Sequence, residues 1–399
     1  MGLYDITESE IPKAKQYNVV LYGIGKTCEK SLGYIEERFN IKGCSDSNNN
    51  LSECEIAKRY KFYCPDELKC LPYDYILVTS IYDGEICKKL MDEIGIERSK
   101  ILLRTEWTHI PFEKKFGEEN FEKKFYILRK EISSKIGLYG IVFAFLEQMA
   151  IIENNGYIPV VDMCNYRNQY LDDEKIGTEN AWEYFFEKWS GHTLPEVYSS
   201  KNVILGYDAP LYKTNIKSKY NINEFKRLYK KYFRLKAEVL SEVEKEYNRI
   251  IGDKKNILGV LYRGSDMTAL KLPNHPIQLT IDEMSDLIHL YIKKYNVKTI
   301  FVCTEDAMAL DEFRKRFSDY IVVYTNQKRF ANTGKKWIAD ITFDRENDKY
   351  LRGLEYITAI EILSRCDYLL AGSNTGSICA EIINGDKYAD CQIIDKGAY

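Results

Sequence analysis

Short, near-continuous apolar runs recur along this chain, and each breaks into glycine or polar residues before a stretch of helical period. "NVVLYGIGKTCEKSLGYIEERFNIKGCSDSN" is the first case. Val19 to Tyr22 read as a strand and Gly23 and Gly25 as a loop; a helix follows, then a second strand that Asp46 ends. Strands alternating with helices specify a parallel sheet covered by helices. "YDYILVTS" (73–80) and "KILLRTEW" (100–107) supply two more strands, which completes one small doubly wound domain at about residues 15–110. Its glycine loop is GxGxxC. Cys28 stands where a third small residue would permit close helix–strand packing, and this favours a tight structural turn over a nucleotide pocket.

The charged stretch 112–125 reads as a linker or surface helix. A long apolar helix follows in "SSKIGLYGIVFAFLEQMAIIENNGYIPVVDM", stopped by Gly156 before a strand at 158–162. "NAWEYFFEKWSG" (180–191) is aromatic and amphipathic, and core packing is favoured over an acceptor-binding wall. Residues 213–236 hold nine Lys or Arg against one acidic residue, Glu224, with Phe225, Leu228, Tyr229, Tyr232 and Phe233 at helical spacing. A solvated helix face accounts for this. Contact with an anionic acceptor or membrane surface stays open, since clustered lysines gain affinity near anionic lipid. From residue 256 the strand–helix alternation resumes with "NILGVLYRG", "VKTIFVCTED", "YIVVYTN" and "DYLLAGSNTGS" as strands.

Composition narrows the function. A formal charge of −3 argues against a general nucleic-acid binder. The 11 cysteines are scattered without a CxxC pair, which reads as reduced thiols and a cytoplasmic location. His109, His192, His275 and His289 lie far apart, so no metal site is expected. "YLDDE" (170–174) reads as a solvated turn. No apolar run reaches membrane-span length, and the N-terminus lacks a signal-peptide pattern.

Ligands of open parallel sheets bind beyond the carboxyl ends of the strands. Three such ends here are polar: Arg263-Gly264-Ser265-Asp266, Thr304-Glu305-Asp306, and Ser373-Asn374-Thr375 with Ser377. The "AGSNTGS" loop joins a strand to a helix, so backbone N–H groups and the helix dipole converge on one spot, an anion site. A guanidinium fork at Arg263 matches two phosphate oxygens; a structural ion pair with Asp266 is the alternative. His275, before Pro276, either holds the same ligand or braces the loop.

"GVLYRGSD", the His-Pro pair after it, "IFVCTEDAMALDEF" and "LRGLEYITAIEILSRCDYLLAGSNTGSICAEII" together resemble the motifs of α1,6-type fucosyltransferases, the core and nodulation enzymes and related bacterial polysaccharide enzymes. The resemblance covers about residues 126–399. It implies a GT-B-like pair of Rossmann-type domains preceded by the small doubly wound α/β domain, divided as 1–112, 113–252 (acceptor) and 253–399 (donor). It further implies inverting transfer of fucose from GDP-fucose to a glycan hydroxyl, with no required metal or other cofactor. The partners implied are a nucleotide sugar and a glycan acceptor, with peripheral contact to a membrane or lipid-linked acceptor left open.

By the same resemblance Arg263 meets the donor β-phosphate and Asp266 closes its motif. Glu305 and Asp306 are an acidic pair near the donor; Ser373, Asn374 and Thr375 lie near the pyrophosphate. Gly264, Ser265, His275, Thr304 and Ser377 complete the expected donor site. Leu261 replaces a histidine of the pattern, and Lys271 a glutamate proposed as general base in some members. A charged lysine cannot accept a proton, so Asp266, Glu305, Asp306 or another group takes that role. Another nucleotide sugar, an inactive binding homologue and an oxidoreductase using the GxG loop are the competing readings. The N-terminal module is expected to be separable, so that a chain starting near residue 112 folds and binds nucleotide.

Overall fold

Every ladder between the named strands except one is parallel, the arrangement that buries strands on both faces. The computed structural model describes residues 11–132, 135–208, 221–271, 275–331 and 336–399. The chain forms two compact units, each from several stretches: Met1–Ser133 with Ile151–Asp162 and Ser190–Pro210, and Ser134–Ala150 with Met163–Trp189 and Leu211–Tyr399.

The first unit carries two sheets. In the first, β1 (Asn18–Tyr22), β2 (Asn40–Ser45), β3 (Tyr75–Val78) and β4 (Ile101–Leu102) lie in the order β2-β1-β3-β4. Successive β1 residues serve opposite cores. Val19 and Leu21 pack with Cys28 and Ile35 of the helix Lys26–Arg38, whereas Val20 and Tyr22 pack with Cys87 and Leu90 of the helix Asp83–Asp92. The sheet is therefore doubly wound, as expected. Gly23 adopts φ +90°, a left-handed turn that favours glycine. Asp46 spends both carboxylate oxygens on backbone, accepting from Ile24 N–H at 2.9 Å and Asn48 N–H at 2.8 Å. Cys28 is fully buried. These contacts make the glycine loop a self-closed turn.

Two expectations are corrected here. Of the run 100–107 only Ile101–Leu102 is strand; Glu106 accepts from the Leu103 N–H at 2.8 Å and opens a short helix, Arg104–Trp107, whose indole donates to the Val78 carbonyl at 2.9 Å. The charged stretch 112–125 is neither linker nor helix. Its first residues form β5 (Phe112–Lys114), because Phe112 is buried against Phe39 with ring centroids 5.0 Å apart. The second sheet adds β6 (Phe125–Leu128), β7 (Ile158–Val161) and β8 (Val203–Leu205) in the order β5-β8-β6-β7, with β5 antiparallel. The apolar helix Leu138–Asn154 precedes β7, and Gly156 at φ +64° ends it as expected.

The two sheets of this unit share a buried polar seam. Arg38, 1 % exposed, donates to the Gly206 carbonyl at 3.2 Å and lies 3.6 Å over the Tyr34 ring. Lys130 pairs with Asp208 at 2.7 Å, and Asp208 also accepts from the Ile132 N–H at 2.7 Å. A chain starting near residue 112 would lose Arg38, Tyr34 and Phe39 together, stranding the buried Gly206 carbonyl and Asp208 N–H at about 1–3 kcal/mol each. The separable N-terminal module anticipated above is thus replaced by the opposite expectation. Such a truncate should show no cooperative melting of its β5–β8 sheet by circular dichroism and rapid proteolysis within 112–132.

The second unit holds β9 (Ile257–Leu261), β10 (Thr299–Cys303), β11 (Ile321–Val323), β12 (Tyr368–Gly372) and β13 (Asp390–Ile394), all parallel, in the order β11-β10-β9-β12-β13. All five β9 residues are buried. Leu258 and Val260 face the helices Ile281–Tyr295 and Ala307–Arg316, through Met284, Ile288 and Phe313. On the other face Gly259 leaves room for Leu363 and Cys366, whose atoms lie 2.7 and 3.1 Å from where its Cβ would be. The edge strand β13 has no counterpart in the sequence reading; its residues are half-buried and lack a continuous apolar run.

The aromatic segment 180–191 is core rather than acceptor wall. Trp182 is 1 % exposed and stacks on Phe186 at 4.2 Å, with Trp189 and Phe233 edge-on. Phe225, Leu228 and Tyr229 bury one face of the basic helix Ile222–Tyr232, leaving Arg227, Lys230 and Lys231 exposed. The basic positions 213–220 lie outside the described residues. Among the described residues no helix is long and apolar enough to cross a membrane.

Glu361, on the helix Asp348–Leu363, is 7 % exposed and accepts from the Tyr229 hydroxyl at 3.4 Å. Burial pushes its carboxyl up to about 7, against the pull of Arg365 and the tyrosine. An acid that holds its proton more tightly when folded favours the fold fully below its unfolded value of 4.5 and loses that contribution as pH rises through about 7. The loss is on the order of 3 kcal/mol. Glu361→Gln should therefore melt at a temperature that falls less from about pH 5 to 8 than that of the parent protein.

Candidate functional site

The strand order reverses between β9 and β12, since β10 and β11 extend one way from β9 and β13 the other. At such a reversal the flanking connections leave toward opposite faces and a crevice opens at the carboxyl ends. Arg263 stands two residues past β9, and Asn374 two residues past β12. Both line one cavity within the second unit, together with Thr375, Asp266, Thr304 and Glu305.

Asn374 caps the helix Thr375–Asn384: its Oδ1 accepts from the Ser377 N–H at 3.0 Å, and its Nδ2 donates to the Gly372 carbonyl at 3.0 Å. Ser377 is fully buried, with its hydroxyl spent on the Gly372 and Asn374 carbonyls at 2.9 and 2.8 Å. Ser377 therefore shapes the helix start and does not face the cavity. Ser373 also lies off the wall; its carbonyl accepts from Gln278 Nε2 at 3.2 Å.

Arg263 is held between two carboxylates. Nη1 donates to Glu305 Oε1, and Nη2 lies 2.9 Å from Asp266 Oδ1. The second contact is an ion pair without hydrogen-bond alignment, so Asp266 Oδ1 has no hydrogen-bond donor among the described residues. Asp266 Oδ2 accepts from the Ile338 N–H at 3.1 Å. Burial works against the Arg263 charge, but Glu305 and Asp266 outweigh it and bind the proton more firmly than usual. Burial raises the Glu305 carboxyl above its ordinary range, and Arg263 holds it partly back.

Asp306, Gly264 and His275 surround this fork without lining the cavity. Asp306 caps the helix Ala307–Arg316 by accepting from the Ala309 N–H at 3.0 Å. Gly264 packs where a Cβ would lie 2.8 Å from both Asp306 Oδ2 and Tyr262 Cε1. His275, 7 % exposed, has its ring 6.0 Å from that of Trp337 and its carbonyl bonded to the Tyr399 N–H at 3.1 Å. Burial, with Arg263 adding to it and Asp266 opposing, depresses its imidazole to about 4, so the ring is neutral at physiological pH. Ser265 starts the helix Ser265–Leu270, and its side chain lies outside the described residues. Leu261, where the sequence resemblance implied a histidine, is an apolar part of the wall. Lys271 is exposed, ends the helix Ser265–Leu270 with a left-handed backbone of φ 44°, and does not line the cavity.

Several wall residues escaped the sequence reading: Gln278, Lys328, Trp337, Glu355 and Tyr356. Only "LRGLEYIT" gave a signal. Its Gly353 sits where a Cβ would lie 2.2 Å from Phe185 Cζ, so this glycine sets how closely the helix bearing Glu355 and Tyr356 approaches. The Thr304 carbonyl is clamped by Gln327 Nε2 at 2.9 Å and Arg329 Nε at 3.1 Å, which fixes the loop carrying Lys328 to the end of β10. "YLDDE" is a turn entering a short 3-10 helix, where Asp173 meets Arg167 and Lys349; among the described residues no group of His, Cys, Asp or Glu could hold a metal ion. Gly264→Ala should push Asp306 and Tyr262 apart, costing about 1–3 kcal/mol in melting experiments, with weakened nucleotide binding because Arg263 is displaced with its neighbour.

Residues 15–102 match a protein family described as C2185-like, N-terminal, and residues 222–379 match the Alpha-(1,6)-fucosyltransferase N- and catalytic domains. Among solved structures, the NodZ alpha-1,6-fucosyltransferase soaked with GDP-fucose aligns at 14 % identity and TM-score 0.41, over 65 % of this chain and 92 % of that one. The fucosyltransferase NodZ from Bradyrhizobium aligns at 13 % and 0.38, over 66 % and 93 %. POFUT1 in complex with GDP-fucose aligns at 13 % and 0.31, over 74 % and 80 %. At such scores these alignments place nothing residue by residue. No curated protein matches the chain. By its family match the chain carries a fucosyltransferase-like glycosyltransferase region, with a separate N-terminal family at residues 15–102.

Proposed function

We propose that the cavity at the β9–β12 reversal binds the diphosphate of a nucleotide sugar, and that the protein transfers fucose from GDP-fucose to a glycan hydroxyl with inversion. One observation carries the reading: a guanidinium and a helix N-terminus line one cavity at the carboxyl ends of a doubly wound parallel sheet. Oriented N–H groups and a fixed cation stabilise the charge that grows on a departing diphosphate. The family match over 222–379 supports fucose as the sugar. Arg263 assists departure of GDP, and a carboxylate near the ends of β9 and β10 accepts the proton of the attacking hydroxyl. On this reading no metal is required, the acceptor glycan belongs to a surface polysaccharide or glycoconjugate, and the protein works in the cytoplasm or at the inner face of its membrane.

A second reading has its own observation. The Arg263 fork is already held by Glu305 and Asp266, as a structural brace would be. The two readings separate by measurement. Truncating one partner of a buried charge pair costs about 2–5 kcal/mol, so Arg263→Ala should weaken GDP binding roughly 30-fold to several thousand-fold. Arg263→Lys keeps the charge but loses the planar fork and should recover only part. Calorimetry against GDP, UDP, CMP and NAD, run beside melting of the ligand-free protein, decides the matter. Normal GDP affinity in a folded Arg263→Ala protein would remove the donor-site assignment. A fall in melting temperature shared by Arg263→Ala and Asp266→Asn, without any change in affinity, would favour the brace.

A further inference from the structure

Transfer needs a proton acceptor, and three carboxylates follow β9 and β10: Asp266, Glu305 and Asp306. The geometry separates them. Asp306 is turned to the helix Ala307–Arg316, which it caps, and is not on the cavity wall. Asp266 has a side chain 1 % exposed, with one oxygen fixed by the Ile338 N–H. Glu305 lines the cavity with a side chain 20 % exposed, and its hydrogen-bonding side-chain partner among the described residues is Arg263. Lys271, which cannot take a proton while charged, is exposed and away from the wall.

We propose that Glu305 is the catalytic base and that the donor itself releases it, the diphosphate drawing Arg263 Nη1 away from the carboxylate. The inference rests on the donor-site reading above. A carboxylate paired with a guanidinium is a weak base; one left buried without its cation binds protons more strongly. The groups facing Glu305 fit this exchange. Tyr262, Asp266 and Cys303 carry no positive charge, and Asp266 repels a second carboxylate. Arg329 is a second cation near Glu305, and its nitrogens are committed to the Thr304, Gln327 and Thr325 carbonyls at 3.1, 3.1 and 3.0 Å. Burial already raises the Glu305 carboxyl, and Arg263, together with a hydrogen bond from Glu305's own backbone, holds it back.

In the transfer step the acceptor O–H proton passes to the Glu305 carboxylate as the acceptor oxygen bonds the anomeric carbon. The bond from that carbon to the β-phosphate oxygen breaks, and its electron pair leaves with GDP. Arg263, now on the phosphate, faces the added negative charge. Glu305 ends as a neutral acid and returns its proton to solvent.

The experiment titrates GDP-fucose into the full-length protein in buffers of different ionisation enthalpy. GDP-fucose is chosen because its diphosphate is esterified at both ends and does not itself titrate near neutrality. The parent protein should take up a fraction of a proton on binding. Glu305→Gln should abolish that uptake while binding GDP-fucose at least as tightly, since the competitor for Arg263 is gone. With water as surrogate acceptor, GDP release by Glu305→Gln should fall roughly 10²–10⁴-fold and lose its acidic limb, with Glu305→Asp retaining part. The proposal is overturned by a parent protein that binds without proton uptake. It is equally overturned by a Glu305→Gln protein that releases GDP at nearly the parent rate, or by one that loses donor binding and so marks Glu305 as a brace. Failure of the parent protein to bind GDP-fucose removes the donor site as well; normal binding beside an active Glu305→Gln removes only the base.

Discussion

Burial of β9 on both faces is the constraint on which the second unit depends. Its residues Ile257 to Leu261 have no solvent side, so helices must cover both surfaces of the sheet. Helices on both faces require the strand order to turn back somewhere, and here it turns between β9 and β12. The polar residues that interrupt these two apolar runs emerge where the backbone can no longer pair with a neighbour. Arg263 and Asn374 thus meet at one cavity because of how their strands are buried.

A guanidinium there would be costly if left alone. Taking a charge out of water is repaid only by close partners. Asp266 and Glu305 provide that compensation, two carboxylates to one guanidinium at the fork. A diphosphate adds further negative charge. On the proposed donor site, binding exchanges partners at Arg263, and the exchange would tie donor recognition to the protonation of Glu305.

The first unit follows the same burial rule to a different end. Its β1–β3 reversal carries a glycine loop, yet Asp46 accepts from the loop's Ile24 N–H and Cys28 packs in the core beneath it. Arg38, which donates to the Gly206 carbonyl, and Tyr34, whose hydroxyl accepts from the Asp208 N–H, join this sheet to the β5–β8 sheet through buried polar contacts. The sheet is a structural partner of its neighbour, held by interactions that removal of either side would leave unsatisfied.

Much of this was legible in the chain. Apolar runs broken by glycine and polar residues are local patterns, because the side chains of one strand or helix report the burial of that element. They determined the α/β class, the positions of β1, β3, β7, β9, β10 and β12, and the polar clusters at strand ends. The asparagine cap in "AGSNTGS" was equally local. What tertiary structure alone decided involves residues distant in sequence. Glu305 is 42 positions from Arg263, and nothing in "CTED" says which of its two acids turns to the arginine and which caps a helix. Phe112 became strand only because Phe39 was there to bury it. Ser377 is turned from the cavity by helix geometry, drawn into a cap, and Lys271 is placed at an exposed helix end. Periodicity records whether a side chain is buried; its partner is set by the packing of elements that periodicity does not relate.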